Sequence, residues 1–415
     1  MYRWIFALAS ASLLYAVDEP RLALVLRAES AFDRVQLAAE PQLRETSLCI
    51  QAQAALLPVA LREELAMVHF RKGYCTLAGA AITRDAGEFT NAGTEFDRAM
   101  GMWGARTAGK NKVAEPIPSG ILVLASLARL GAGTDQAGTD LARNAIAAAL
   151  ADPICTPGVM SPDLCRAILR TGREWLGWHA LRNGDLNSAA KDFSGSVGSG
   201  WPEWVEGRKA FQQGNYREAA ADYRRAIDYL HPAVEPSLAR QLGPPADKPA
   251  ELTELGGAQL LAGDTTVAVD TLDAAVKANP EEARALYLRA RARELSGKME
   301  AALADYNLAS RTAFAHAADL ASGEAHLYRG ILYFRRKDYS HAEDEFASAL
   351  NFTIADGMRS DAVAWRHLAA VAGGSCQASG LFLERSLATV SPYFPKDEAR
   401  TLLAGCVSSA SAGRY

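Results

Sequence analysis

Pairs of helix-forming stretches joined by a tight turn recur along this chain, and that recurrence limits its fold more than composition does. The best-formed instance runs from Trp204 to Pro232, WVEGRKAFQQGNYREAAADYRRAIDYLHP. Gly214-Asn215 marks the turn between two helices. Gly207, Ala219 and Ala226 are small where the helices must cross closely. Phe211, Tyr216, Tyr223 and Ile227 are large enough to fill the space between them. A unit this short cannot bury its apolar face alone, so it needs stacked neighbours.

Related units follow the same spacing. Trp175-Leu176-Gly177, Asn183-Gly184-Asp185, Ala189 and Phe193 form one. Leu255-Gly256, Ala262-Gly263-Asp264, Ala268, Leu272, Ala275 and Pro280 form another. Two more carry Ala290, Gly297, Ala302, Tyr306 and Ala309, then Gly330, Tyr333, Asp338-Tyr339, Ala342, Phe346 and Ala349. Gly263 and Gly297 lie 34 residues apart. These landmarks resemble the tetratricopeptide repeat (TPR), whose period is 34 residues. The resemblance implies an all-α fold, an α-α superhelix of antiparallel helix pairs with helical caps at both ends. Abundant alanine, and the absence of alternating Val, Ile and Thr, independently point to an all-helical chain.

The resulting organisation has an N-terminal helical cap over 17–60, degenerate helix pairs over 61–170 and an array of about five repeats over 171–352. A C-terminal helical cap follows over 353–415. Gly87-Glu88-Phe89, Ala92, Phe96 and Ala99 give the 61–103 unit its turn and second helix. Residues 104–118 read as a polar connection. The Pro/Gly-rich stretch from Gly243 to Pro249 is expected to form a flap open to proteolysis.

Residues 1–16 read as a signal peptide: Arg3 precedes an apolar run from Trp4 to Tyr15, too short to span a bilayer comfortably. The expected cleavage follows Ala16. Export, to a periplasm or outside the cell, would permit disulfides. Cys155 and Cys165 flank a loop that a disulfide could close. Cys376 begins one helix and Cys406 ends the next, which brings them together if those helices are antiparallel. Cys49 and Cys75 remain as a third pair. A first helix continuing into the repeats, in a cytoplasmic protein with six buried thiols, is the alternative.

In such an array the first helix of each unit lines the concave face. Carrying over the family's groove positions gives Glu174, Trp178, Leu181 and Arg182 in the first unit, then Trp201, Trp204, Arg208 and Phe211. Thr253, Gly257 and Leu260 follow, then Arg284, Tyr287, Arg291 and Glu294, then Glu324, Leu327, Ile331, Phe334 and Arg335. The candidate peptide-binding set is Trp178, Trp204, Arg208, Phe211, Tyr287, Arg291 and Phe334, because aromatic and Arg groups dominate interface centres. The same aromatics would serve as core packing. The Lys and Asn pattern with which some TPR domains clamp a C-terminal carboxylate is missing, since those positions hold Trp204 and Arg208, Thr253 and Gly257, or Tyr287 and Arg291. Arg208 and Arg291 remain able to pair with an acidic ligand group.

Signs of covalent chemistry are weak. The seven histidines make no zinc-spaced cluster with cysteines or carboxylates. Gly195 to Gly200, GSVGSG, lacks the lysine of a phosphate loop and follows a helix. With 49% hydrophobic and 22% charged residues and a net charge of -4, the chain is neither disordered nor basic, so a nucleic-acid partner is not expected. The expected function is a non-catalytic scaffold that binds a protein or peptide, with no cofactor and no membrane insertion after signal removal. The alternatives are a self-associating assembly subunit, or an enzyme with an unrecognised site.

Overall fold

The computed structural model describes residues 19–37, 42–62, 64–105, 116–134, 136–155, 159–232, 241–312, 320–352, 356–391 and 394–412. The signal-like segment, most of the 104–118 connection, Pro157, Gly158, His316 and residues 233–240 lie outside these. Among the described residues there are nineteen α-helices and no strand. The chain divides into two compact units. One takes Met1–Val205 with Asp228–Pro245, the other Glu206–Ile227 with Ala246–Tyr415.

The first unit begins with α1 (Glu19–Leu37), α2 (Leu43–Leu56), α3 (Leu65–Thr83) and α4 (Ala86–Ala105). Then come α5 (Ser119–Gly131), α6 (Gln136–Ala151), α7 (Pro162–Arg182) and α8 (Leu186–Phe193). Consecutive helices pack on one another from α1 to α8, except that α7 lies against both α5 and α6. The core centres on Phe70, Phe96, Leu77, Ile121, Leu124 and Ile146, all fully buried. Burying each such side chain contributes roughly 1.5–3 kcal/mol. The glycine-rich stretch GAGTDQAGTD is mostly helical at its end, because α6 already starts at Gln136.

Helix α9 (Trp201–Gln212) crosses from the first unit into the second, and α10 (Tyr216–Leu230) crosses back. The second unit continues with α11 (Lys248–Leu261), α12 (Thr265–Ala278), α13 (Ala283–Leu295) and α14 (Met299–Thr312). It ends with α15 (Leu320–Arg335), α16 (Tyr339–Ala349), α17 (Asp356–Ala372), α18 (Cys376–Ser386) and α19 (Lys396–Ala412).

One turn geometry closes six of these helix pairs. The residue after the left-handed position donates its N–H to a carbonyl five residues back: Asp185 to Ala180, Asn215 to Ala210, Asp264 to Gln259, Lys298 to Arg293, Asp338 to Tyr333 and Ser375 to Ala370. The preceding residue has positive φ, at Gly184, Gly214, Gly263, Gly297 and Gly374, with Lys337 in the one turn that lacks a glycine. This closure satisfies carbonyls that a helix end otherwise leaves bare. The next residue then starts the second helix, and the carboxylates of Asp185 and Asp338 accept backbone N–H groups of Ser188 and His341. The α17–α18 pair uses the same turn, so part of the expected C-terminal cap is built like a further repeat.

Between the helices of five of these pairs a small residue on the first meets a large one sixteen positions later. The pairs are Gly177 with Phe193, Gly207 with Tyr223, Gly256 with Leu272 and Gly330 with Phe346. Ala290 and Tyr306 keep the same offset, both fully buried.

The 243–249 flap is only partly a flap. Leu242, Gly243 and Pro244 are buried, and the Trp175 indole N–H donates to the Leu242 carbonyl at 2.8 Å. The buried Leu242 side chain and the half-buried Trp175 indole donor outweighed the loop-like composition. All six cysteines are drawn together: Cys49–Cys75, Cys155–Cys165 and Cys376–Cys406 are bonded, with Cα atoms 5.9, 6.0 and 5.5 Å apart.

Candidate functional site

In the second unit the first helices of successive pairs touch, α11 with α13, α13 with α15 and α15 with α17. A row of charge runs across them. Glu254 on α11 lies between Arg208 of α9, at 3.6 Å, and Arg284 of α13, at 2.9 Å. The two arginine side chains keep 37% and 52% of their surface exposed. The row is therefore half open to solvent, where ion pairs exchange partners at low cost.

Further along α13 the chemistry turns inward. The Glu294 carboxylate is buried and accepts from Arg291 at 2.6 Å, Arg335 at 2.9 Å and the Tyr306 hydroxyl at 2.9 Å. The Arg291 guanidinium sits 3.9 Å from the Tyr328 ring centre, a cation–π contact. Burial opposes the Arg291 charge, but Tyr306 and Glu294 beside it more than compensate and raise its pKa. Burial also pushes the Tyr287 and Tyr306 hydroxyls well above the ordinary tyrosine value. These phenols are neutral at any physiological pH.

The seven expected ligand contacts separate on this structure. Trp178 is half-buried in the first unit, edge-on to Trp175 at 5.4 Å and covered by the Arg182 guanidinium at 4.9 Å. Trp204, also in the first unit, is buried. In the second unit Phe211 is half-buried against Tyr216 at 5.3 Å. Tyr287 is buried among Tyr306 and Tyr328. Phe334 is buried between Tyr339 and Trp365 in the core near the C-terminus. Arg208 and Arg291 both have intramolecular carboxylate partners, Glu254 and Glu294.

Several groove positions are packing positions. Thr253, Gly257, Leu327 and Ile331 are buried, whereas Glu254 and Tyr328, each one residue beyond an expected contact, are partly open. Each first helix is covered by its own partner and by the first helices beside it, so the buried stripe is wide. Glu254, Tyr306 and Tyr328 were not among the expected site residues. Each lies on a different helix from the arginines it meets, so only the packed helices bring them into line. Among the described residues no group of three His, Cys, Asp or Glu side chains is placed to hold a metal, and no helix is long and apolar enough to cross a membrane.

A family model described as tetratricopeptide repeat matches residues 205–239 and 254–318. No curated protein sequence matches the chain. Among solved structures it is similar to the APC/C Cut9–Hcn1 hetero-tetramer, at 13% identity and TM-score 0.44, covering 95% of this chain and 98% of that one. It is also similar to yeast Tom70, at 11% identity and TM-score 0.40 over 94% and 89%. A third is the human IFIT1 dimer with PPP-AAAA, at 12% identity and TM-score 0.38 over 95% and 87%. At these scores none of them bears on what this chain binds.

Proposed function

We propose that this chain, which matches a tetratricopeptide-repeat model over residues 205–239 and 254–318, is a non-catalytic scaffold holding a protein or peptide against the first helices of its second unit. The observation that carries this reading is the Arg208–Glu254–Arg284 row. It ties three successive first helices together, yet leaves both guanidiniums accessible. An incoming carboxylate can take over either arginine without burying an uncompensated charge. Tyr287 and Phe334, two of the aromatics expected from sequence, are packed in the interior of that unit.

Crosslinking capture compares wild type with an Arg208→Ala/Arg284→Ala variant that retains its helical circular dichroism. One partner captured by wild type and lost by the variant supports the reading. Equal capture moves the binding surface elsewhere.

We also propose that the protein works in an oxidising compartment, supported by three bonded cysteine pairs and no free cysteine. Non-reducing peptide mapping should find the three pairs intact, and mass spectrometry should find a mature chain starting at Val17. Free thiols on a chain starting at Met1 would refute export.

A further inference from the structure

A cleft of about 500 Å³ opens in the first unit. It is lined by Asp163, Arg166, Leu169, Arg170, Arg173 and Ser196, with Gly195 beside Ser196. The three arginines stand at i, i+4 and i+7 on α7, so they share one face of that helix. Like charges on adjacent turns repel and weaken a helix. Arg166 is neutralised by Asp163. Arg170 and Arg173 form no ion pair among the described residues, and both are exposed. The Arg173 guanidinium comes within 3.8 Å of where a Gly195 side chain would start, so it leans over the loop opposite.

A second observation is independent of the charge. Ser196 is 1% exposed, and its hydroxyl has no hydrogen-bond partner. Its backbone is fixed at both ends, since its N–H donates to the Phe193 carbonyl at 2.8 Å and its own carbonyl accepts from Ser199 at 3.0 Å. A buried hydroxyl left unpaired costs stability unless something fills the position. The helix opposite is equally fixed: Cys165, fully buried at its start, is bonded to Cys155.

We propose that this cleft is an oxyanion-binding subsite for the carboxylates of an acidic peptide. Arg170 and Arg173 supply paired N–H donors matched to a carboxylate, Ser196 supplies a hydroxyl donor, and Leu169 gives the apolar floor. The ligand class rests on the peptide-binding reading above, but the site shares no residue with that surface.

The test is fluorescence anisotropy with fluorescein-labelled hexaglutamate and the full chain. Binding should be saturable and weaken by about tenfold in Arg170→Ala/Arg173→Ala, because charge-assisted hydrogen bonds are lost. Ser196→Ala is the sharper variant: it should bind more weakly while unfolding at an equal or higher temperature, since it removes an unpaired hydroxyl. Arg217→Ala, an exposed arginine of the second unit, should bind like wild type. Unchanged binding in the double variant and in Ser196→Ala overturns the site, as does an equal loss in Arg217→Ala. Binding of inorganic phosphate without hexaglutamate overturns the peptide assignment. Hexaglutamate needs no native partner, so this result is independent of the Arg208→Ala/Arg284→Ala capture.

Discussion

Gly207 and Tyr223 stand so close that a Cβ on the glycine would lie 2.6 Å from the ring's Cδ1. The ring is fully buried and cannot swing away. Gly207→Ala should therefore destabilise the protein by about 1–3 kcal/mol through overpacking. Gly101→Ala is the contrast. It too sits inside a helix, but its Cβ would meet nothing within 4 Å. It should stabilise by roughly 0.5–1 kcal/mol. Urea unfolding of both variants checks the pair, and a shared sign would defeat the argument.

Lys337 holds a backbone conformation with φ of 63°, where five equivalent turns have glycine. A residue with a Cβ is strained there by about 1–2 kcal/mol. Lys337→Gly should recover part of this, with a net gain of roughly 0.5–1 kcal/mol after the added flexibility of the unfolded chain. Thermal unfolding reads it directly. A loss of stability would mean that the lysine side chain makes a contribution larger than the strain.

Asp305 anchors a network that joins three helices. It accepts from Arg289 through both oxygens, at 2.9 and 2.7 Å, and from Arg293 at 2.7 Å. Asp273 binds the same two arginines at 2.8 and 2.9 Å, but its side chain is 45% exposed against 5% for Asp305. Removing the buried partner leaves two largely buried guanidiniums with only the more exposed Asp273, so Asp305→Ala should cost about 3 kcal/mol. Asp273→Ala should cost under about 1 kcal/mol, because water replaces an exposed carboxylate well. Equal losses would show that burial is not what sets the value of these pairs.

Glu95 gives the fold a pH dependence. Burial alone would raise its carboxyl pKa, but hydrogen bonds from Lys72 at 2.8 Å and His69 at 2.6 Å outweigh that and hold it below the ordinary range. A carboxyl depressed by folding adds stability above its unfolded value of about 4.3, and the gain is lost as pH falls through the folded value. Glu95→Gln should be less stable than wild type at pH 7, and the gap should close below pH of about 4. A gap that stays constant from neutral to acid pH would refute the assignment.

The turns and the close crossings were legible in the chain, because each depends on one or two local residues. Gly184, Gly214, Gly263 and Gly297 mark left-handed turn positions, and Gly207 with Tyr223 marks a crossing. The proposed binding face was harder to read. One residue along a helix turns the side chain by about 100°. The expected contacts Thr253 and Leu327 are therefore buried, while their neighbours Glu254 and Tyr328 are partly open. The Asp305 network was invisible for another reason. Its members come from α12, α13 and α14, and no local pattern ties Asp273 to Arg293.

The indole of Trp175 and the carbonyl of Leu242 lie far apart in sequence but share one unit. The chain leaves that unit after Val205, returns at Asp228 and leaves again after Pro245. A single cut therefore cannot separate the two units. A fragment ending at Val205 would lack Leu242 and leave the Trp175 N–H without its acceptor. Dissection, circular permutation or exchange of repeats must carry residues 228–245 with the first unit, or replace what they supply.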